Sequence, residues 1–204
     1  SVIDELLDYQ VDGIITASVS MSNALTARCE AAGIPIILFN RLQDDARLSG
    51  VSSDNFRGGY KLAKFLIRSG HQRIAHIAGW KGASTQRDRE AGFMSGLAAH
   101  NMALFDRREG NFHYEQAQQA ARDLFAKQDQ PDAVFVANDH MAFAAMDVVR
   151  FELGLRIPED VSFVGYDDVA LAAWPSYDLT TVRQPANRMV TETVQMLLAR
   201  IDNP

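Results

Sequence analysis

Four polar positions stand directly behind apolar, strand-sized runs: Thr16 after Ile14-Ile15, Asn40-Arg41 after Ile36 to Phe39, Asn138-Asp139 after Val134 to Ala137, and Asp167-Asp168 after Phe163 to Tyr166. In open α/β sheets the carboxyl ends of the strands face the ligand crevice. Taken singly, each of these residues reads first as a helix cap or turn former, since Asn and Asp are the preferred caps. Taken together, amides and carboxylates at successive strand ends suit a polyhydroxylated ligand, because each can engage a pair of hydroxyls. Arg87 and Arg89 fall at the start of an expected helix, where a cation gains nothing from the helix dipole. One guanidinium could make a forked contact in the crevice, or both could pair on the surface with Asp88 or Glu90. Phe112, after Gly110-Asn111, is either a core plug or an aromatic platform for a sugar or base face.

Catalytic patterns are scarce. Gly92-Phe93-Met94-Ser95-Gly96 is spaced wrongly for a nucleophile elbow, and Gly79 to Ser84 contains no phosphate-binding Gly-Lys-Ser. His71, His76, His100, His113 and His140 include no pair at helical metal-ligand spacing. Cys29, the single cysteine, sits mid-helix and reads as a small buried apolar residue. The expectation is a binding protein without enzymatic activity, metal or cofactor.

Composition narrows the setting. The chain has 204 residues, 47% hydrophobic and 23% charged, which requires a packed core and excludes disordered and collagen-like classes. A net charge of -6 opposes nucleic acid as a direct ligand. One cysteine rules out an intrachain disulfide framework and fits a reducing, cytoplasmic compartment. No run approaches the roughly 20 apolar residues that cross a bilayer, so a soluble chain is expected.

The elements that must position these residues alternate regularly. Helices are expected over Ser1 to Tyr9, Met21 to Ala32, Phe56 to Arg68, Arg87 to His100, Tyr114 to Lys127 and His140 to Leu153. Strands are expected at Val11 to Ile15, Ile34 to Phe39, Arg73 to Ala78, Glu109 to Phe112, Ala133 to Ala137 and Val161 to Tyr166, with Leu42 to Ser49 and Trp80 to Thr85 as loops. Near-continuously apolar strands alternating with helices indicate an α/β fold with parallel sheets covered on both faces. Opening on a helix, where a strand usually comes first, suggests truncation.

The strings that carry this alternation are themselves familiar. Val11-Asp12-Gly13-Ile14-Ile15, Gly33-Ile34-Pro35, Ser53-Asp54-Asn55 with Gly58-Gly59, Gly70-His71 with Arg73-Ile74-Ala75, and Arg89 with Gly92-Phe93 occur in that order. They are followed by Pro131-Asp132-Ala133 with Ala137-Asn138-Asp139, Ile157 to Ser162 with Gly165-Tyr166-Asp167-Asp168, and Leu179 to Pro185. Over essentially its whole length the chain resembles the effector-binding domain of lactose-repressor (LacI/GalR) family transcription regulators.

That resemblance implies a two-lobe, periplasmic-binding-protein-like type I fold with an effector cleft and lobe closure biased by ligand. The implied lobes are residues 1–50 with 183–204, incomplete at the N-terminus, and 51–182; the helix-turn-helix headpiece lies outside the chain. Effector contacts are implied at Asn40, Arg89, Phe112, Asn138 and Asp167, and less directly at Gln184 near the hinge. The helix from His140 and the stretch around Trp174 resemble the family's dimer surface, where Phe143 and Met146, one turn apart, suit either an interface or a core face. The implied function is small-molecule sensing, of a sugar or sugar derivative, by a homodimeric repressor that reaches operator DNA only through the headpiece and touches no membrane. A periplasmic sugar-binding protein of a transporter is the alternative. On this reading Arg89→Ala is expected to abolish most effector affinity while leaving the fold near native.

Overall fold

The computed structural model describes residues 11–17 and 21–202, so the helix expected over Ser1 to Tyr9 lies outside the described residues. The chain divides into two compact units, Ser1–Ser53 with Pro185–Pro204, and Asp54–Gln184.

In the first unit, β1 (Ile14–Ala17), β2 (Ile36–Phe39) and β3 (Ser49–Val51) form a parallel sheet in that order, with Ile14 opposite Ile36 and Phe39 opposite Val51. Helix α1 (Asn23–Ala31) starts at Ser22, whose hydroxyl accepts from the Leu25 amide. It buries Cys29 against Ile14, Ile36 and Leu38, and burial pushes the Cys29 thiol pKa up, as expected for an inert apolar cysteine. The second helix of this unit, α6 by its place in the whole chain (Ala186–Asp202), turns Met189 and Thr193 inward.

The second unit holds a five-stranded parallel sheet in the order β5-β4-β6-β7-β8, built from β4 (Ile74–Ala78), β5 (Asp106–Glu109), β6 (Ala133–Val136), β7 (Ser162–Asp167) and β8 (Thr180–Arg183). Alternation along each strand assigns its residues to two cores. Ile74, Ala133, Phe135, Val164 and Tyr166 face Leu62, Ala63 and Leu66 of α2 (Asn55–Arg68) and Phe93 and Leu97 of α3 (Ser84–Ala98). Ala75, Ile77, Val134, Val136 and Phe163 face α4 (Tyr114–Phe125) and α5 (Asp139–Asp147). Both faces are thus covered, which is why these strands read as unbroken apolar runs.

Local chemistry sets the helix limits. Asp54 caps α2 by accepting from the Arg57 amide, and Gly70, at φ 89°, closes it with its N–H on the Ile67 carbonyl and that of His71 on Leu66. Helices α2 and α3 cross through glycine. A Cβ on Gly92 would lie inside contact distance of the Phe56 carbonyl oxygen, and one on Gly59 inside that of Arg89. Gly92→Ala should therefore part the helices and lower the unfolding free energy by about 2–3 kcal/mol. An unchanged denaturation midpoint would show that the crossing tolerates a methyl group.

Four expectations need correction. Helix α3 starts at Ser84, which moves Arg89 out of the first turn and removes the dipole argument. Strand β5 lies at Asp106–Glu109, before the segment expected; it is a charged edge strand, Asp-Arg-Arg-Glu, held outwardly by ion pairs that leave no apolar signature. The loop expected from Leu42 ends in a short strand at β3. The helix expected over His140 to Leu153 ends as α5 at Asp147 and continues as a π-turn, Val148–Glu152.

Candidate ligand site at the carboxyl edge of the second sheet

The strand order β5-β4-β6-β7-β8 reverses direction between β4 and β6, and ligands of doubly wound sheets bind at such a switch point, outside the carboxyl ends. Gly79 and Trp80 follow β4, Asn138 follows β6, and Asp167 ends β7.

Arg89 reaches this edge from the second turn of α3 and is only 2% exposed. Its Nε donates to Asn55 Oδ1 at 2.9 Å, Nη1 to the Ala137 carbonyl at 2.6 Å, and Nη2 to Asp167 Oδ1 at 3.0 Å. The guanidinium carbon lies 3.7 Å from the centre of the Tyr166 ring, a cation–π stack. Three of five N–H groups are thus used by the protein. The plane that remains is fixed in position, as forked recognition of an oxygen-rich ligand requires.

Asp167 Oδ1 accepts a second bond, from Gln184 Nε2 at 2.7 Å. Among the described residues no donor meets Asp167 Oδ2, which leaves an acceptor at the sheet edge. Burial pushes the Asp167 carboxyl up in pKa, and the Arg89 charge and the Gln184 and Arg89 hydrogen bonds oppose that rise. The Asp167 backbone stands at φ 122° and Asp168 at φ 59°, a conformation that costs on the order of 1–3 kcal/mol in a non-glycine residue.

What holds that turn is Asp139, whose role the sequence reading misses. Asp139 is fully buried; its Oδ2 accepts from the Val169 amide at 3.0 Å and its Oδ1 from Thr181 Oγ1 at 2.6 Å. Desolvation raises its pKa, against the hydrogen bonds from Thr181 and Val169, which lower it. The neighbouring Asn138 caps α5 through Oδ1, accepting from the Met141 amide at 3.1 Å. Its Nδ2 has no acceptor among the described residues, so the cap and ligand readings of Asn138 coexist.

Phe112 is half-buried at φ 63°, with the far end of its ring at Gly79 and its side chain packed against the α4/α5 core. The platform and plug readings also coexist here. Gly79 is held from below: its N–H donates to Gln86 Oε1 at 2.7 Å, while Gln86 Nε2 donates to Glu90 Oε2 at 2.8 Å and meets His76 Nε2 at 3.3 Å. His76 is fully buried, stacked on Phe135 at 4.6 Å, with Nδ1 on the Phe135 carbonyl. Glu90 is closed off by Arg107, at 2.6 Å.

The structure thus brings Arg89, Asp167, Gln184, Asn138 and Phe112 to one edge of one unit. Asn40 belongs to the other. It follows β2 at φ 69°, donates its N–H to the Val51 carbonyl at 2.8 Å, and keeps a buried Oδ1 without a partner among the described residues. Residues the sequence reading leaves out are Asn55, Tyr166, Gln86 and Trp80. Trp80 alone carried a usable signal, as a tryptophan placed immediately behind a strand.

The expected interface residues separate. Phe143 and Met146 are buried, Phe143 against Tyr177 at 4.4 Å, because their spacing turns both toward the sheet. They take the core side of the alternative and offer no surface to a second chain. Trp174 stays 58% exposed, and Phe151, five residues beyond Met146, is 81% exposed. No described helix is long and apolar enough to cross a membrane.

Residues 63–204 match the periplasmic binding protein-like domain family. The "Probable HTH-type transcriptional repressor ExuR" of Bacillus subtilis (strain 168) is 33% identical over 99% of this chain, which spans 63% of that relative's length. Among solved structures, a transcriptional regulator CelR–cellobiose complex superposes with a TM-score of 0.89 at 33% identity, over 98% of this chain and 62% of that one. A sugar-binding transcriptional regulator of the LacI family from Escherichia coli, complexed with phosphate, gives 0.82 at 28% identity, over 99% and 73%. The chain therefore belongs to the periplasmic binding protein-like domain family, in the α/β form that LacI-family regulators carry.

Proposed function

We propose that this chain is the effector-binding and dimerisation domain of a cytoplasmic transcription regulator, and that its effector is a sugar or sugar derivative. The observation that carries the reading is the pairing of a fixed guanidinium with an open carboxylate oxygen at the switch point: Arg89 and Asp167 Oδ2, with Asn138 Nδ2 beside them in the strand order. A polyhydroxylated ring satisfies such a mixed set of donors and acceptors, and Phe112 supplies the apolar face that carbohydrate C–H groups pack on. Its likeness to a regulator solved with cellobiose supports the same class.

On this reading the chain acts by binding and not by turnover. Operator DNA is contacted by a separate headpiece, in keeping with the chain's charge of -6, and the partner in a homodimer covers Trp174. Asn40 is retained as the first unit's candidate contact. The test is a thermal-shift screen against pentoses, hexoses, sugar acids, disaccharides and nucleobases. A true effector at a hundredfold excess over its dissociation constant adds about 2.7 kcal/mol to the stability of the folded state. Stabilisation by nucleobases alone would replace the sugar assignment with a purine or pyrimidine one.

A further inference from the structure

Trp80 is the first side chain beyond β4, at the strand pair where the sheet order reverses, and it is 44% exposed. The turn that bears it is held at three points. The Ala83 amide donates to the Trp80 carbonyl at 3.0 Å, Arg87 Nη1 donates to the Gly82 carbonyl at 3.1 Å, and Gln86 grips the Gly79 amide. The indole lies on Gly82, with its benzenoid edge where a Cβ would stand, so one side of the ring is supported by backbone. Among the described residues no acceptor meets its indole N–H.

Phe112 rests on the preceding residue, Gly79. Two aromatic rings are therefore seated on consecutive stretches of one braced turn, Phe112 half-buried and Trp80 further out. An exposed tryptophan held in a rigid turn loses little entropy on packing against a ligand and offers a large apolar face with one polar edge. A ring bound at Arg89 and Asp167 needs one platform, and Phe112 supplies it. A second aromatic ring carried by the same turn fits a ligand with a second ring.

We propose that Trp80 forms an outer subsite for the second ring of a disaccharide or glycoside, an inference that rests on the sugar-binding reading above. Specificity for chain length then lies in Trp80, while Arg89 and Asp167 hold the inner ring common to both lengths.

The test is isothermal titration of the chain with three matched pairs: glucose and cellobiose, galactose and lactose, xylose and xylobiose. The expected result is that a disaccharide binds tightest. Trp80→Ala, a change at an exposed position, should weaken that disaccharide about tenfold and its monosaccharide less than about twofold, with Trp80→Phe recovering most of the loss. Asp167→Asn should weaken both members of the pair. In a Trp174→Phe background Trp80 is the sole indole, and its emission should shift with the disaccharide only. A monosaccharide that binds tightest, or a disaccharide whose affinity survives Trp80→Ala, overturns the outer subsite and leaves the sugar-binding reading standing. Failure of all six sugars to bind overturns both.

Discussion

Arg89→Ala should lower the stability of the second unit by about 3–5 kcal/mol at neutral pH, in addition to removing ligand affinity. This corrects the expectation of a near-native fold. At 2% exposure Arg89 supplies donors to Asn55, the Ala137 carbonyl and Asp167, and its loss strands all three acceptors, one of them charged. The effect has a pH signature. Without Arg89 the Asp167 carboxyl rises further above its unfolded pKa, because desolvation already pushes it up and the opposing cation is gone. A raised folded-state pKa contributes stability at low pH that is lost as pH rises through it. The deficit of the variant relative to the wild-type chain should thus be smaller at pH 4.5 than at pH 7.5. Denaturant titrations at the two pH values measure it. A variant within about 1 kcal/mol of wild type at neutral pH would mean that the three acceptors find water, and that Arg89 serves binding alone.

The second large effect is a loss of stability on mild acidification, carried by His76. Burial pushes its pKa down to about 4, against hydrogen bonding to Phe135 and the charge of Glu90, which raise it; Arg107 adds to the lowering. The contact with Gln86 works in the same direction as burial. With Nδ1–H donated to the Phe135 carbonyl, Nε2 accepts from Gln86, whose carbonyl in turn holds the Gly79 amide. A proton on Nε2 would face the Gln86 amino group. As pH falls, the unfolded chain takes up this proton near pH 6.5 and the folded chain only near 4. Stability contributed by neutral His76 is therefore lost across that window, by about 2 kcal/mol at pH 5 and about 3 kcal/mol in full. The check is the difference in pH slope between the wild-type chain and His76→Asn, since Asp139, Asp167 and Glu90 titrate in both. Equal slopes between pH 7 and 5 would show that the buried imidazole is hydrated or already protonated. Because the same chain of bonds ends at Gly79, beneath Phe112, the acid transition should also loosen the platform before the unit unfolds.

The alternation of apolar strands and amphipathic helices determined the α/β class, the parallel sheets and the limits of α1, α2 and α4 to within about two residues; it gave no bounds for β8 or α6. It works because the period of burial is written locally: two residues in a strand, about four in a helix. Asp167 was also legible as a site candidate, as a polar residue behind a strand; Arg89 was singled out from Arg87 by the family resemblance alone, since the helix-start argument covered both and fails once the helix begins at Ser84. Tertiary structure decided what each residue touches. The Arg89–Asp167 pair joins positions 78 apart, and the three acceptors that immobilise Arg89 come from α2, the end of β6 and the end of β7. Hydropathy cannot report such partners, because periodicity states that a face is buried and not what covers it. For the same reason Phe143 and Met146 read equally as core or interface until the sheet was in place. Strand β5, whose charges are paired at an edge, carried no apolar period at all. Trp80 looked like part of a loop in the sequence, a tryptophan just behind a strand; the strand order, with its reversal between β4 and β6, placed that loop at the edge outside which doubly wound sheets bind their ligands.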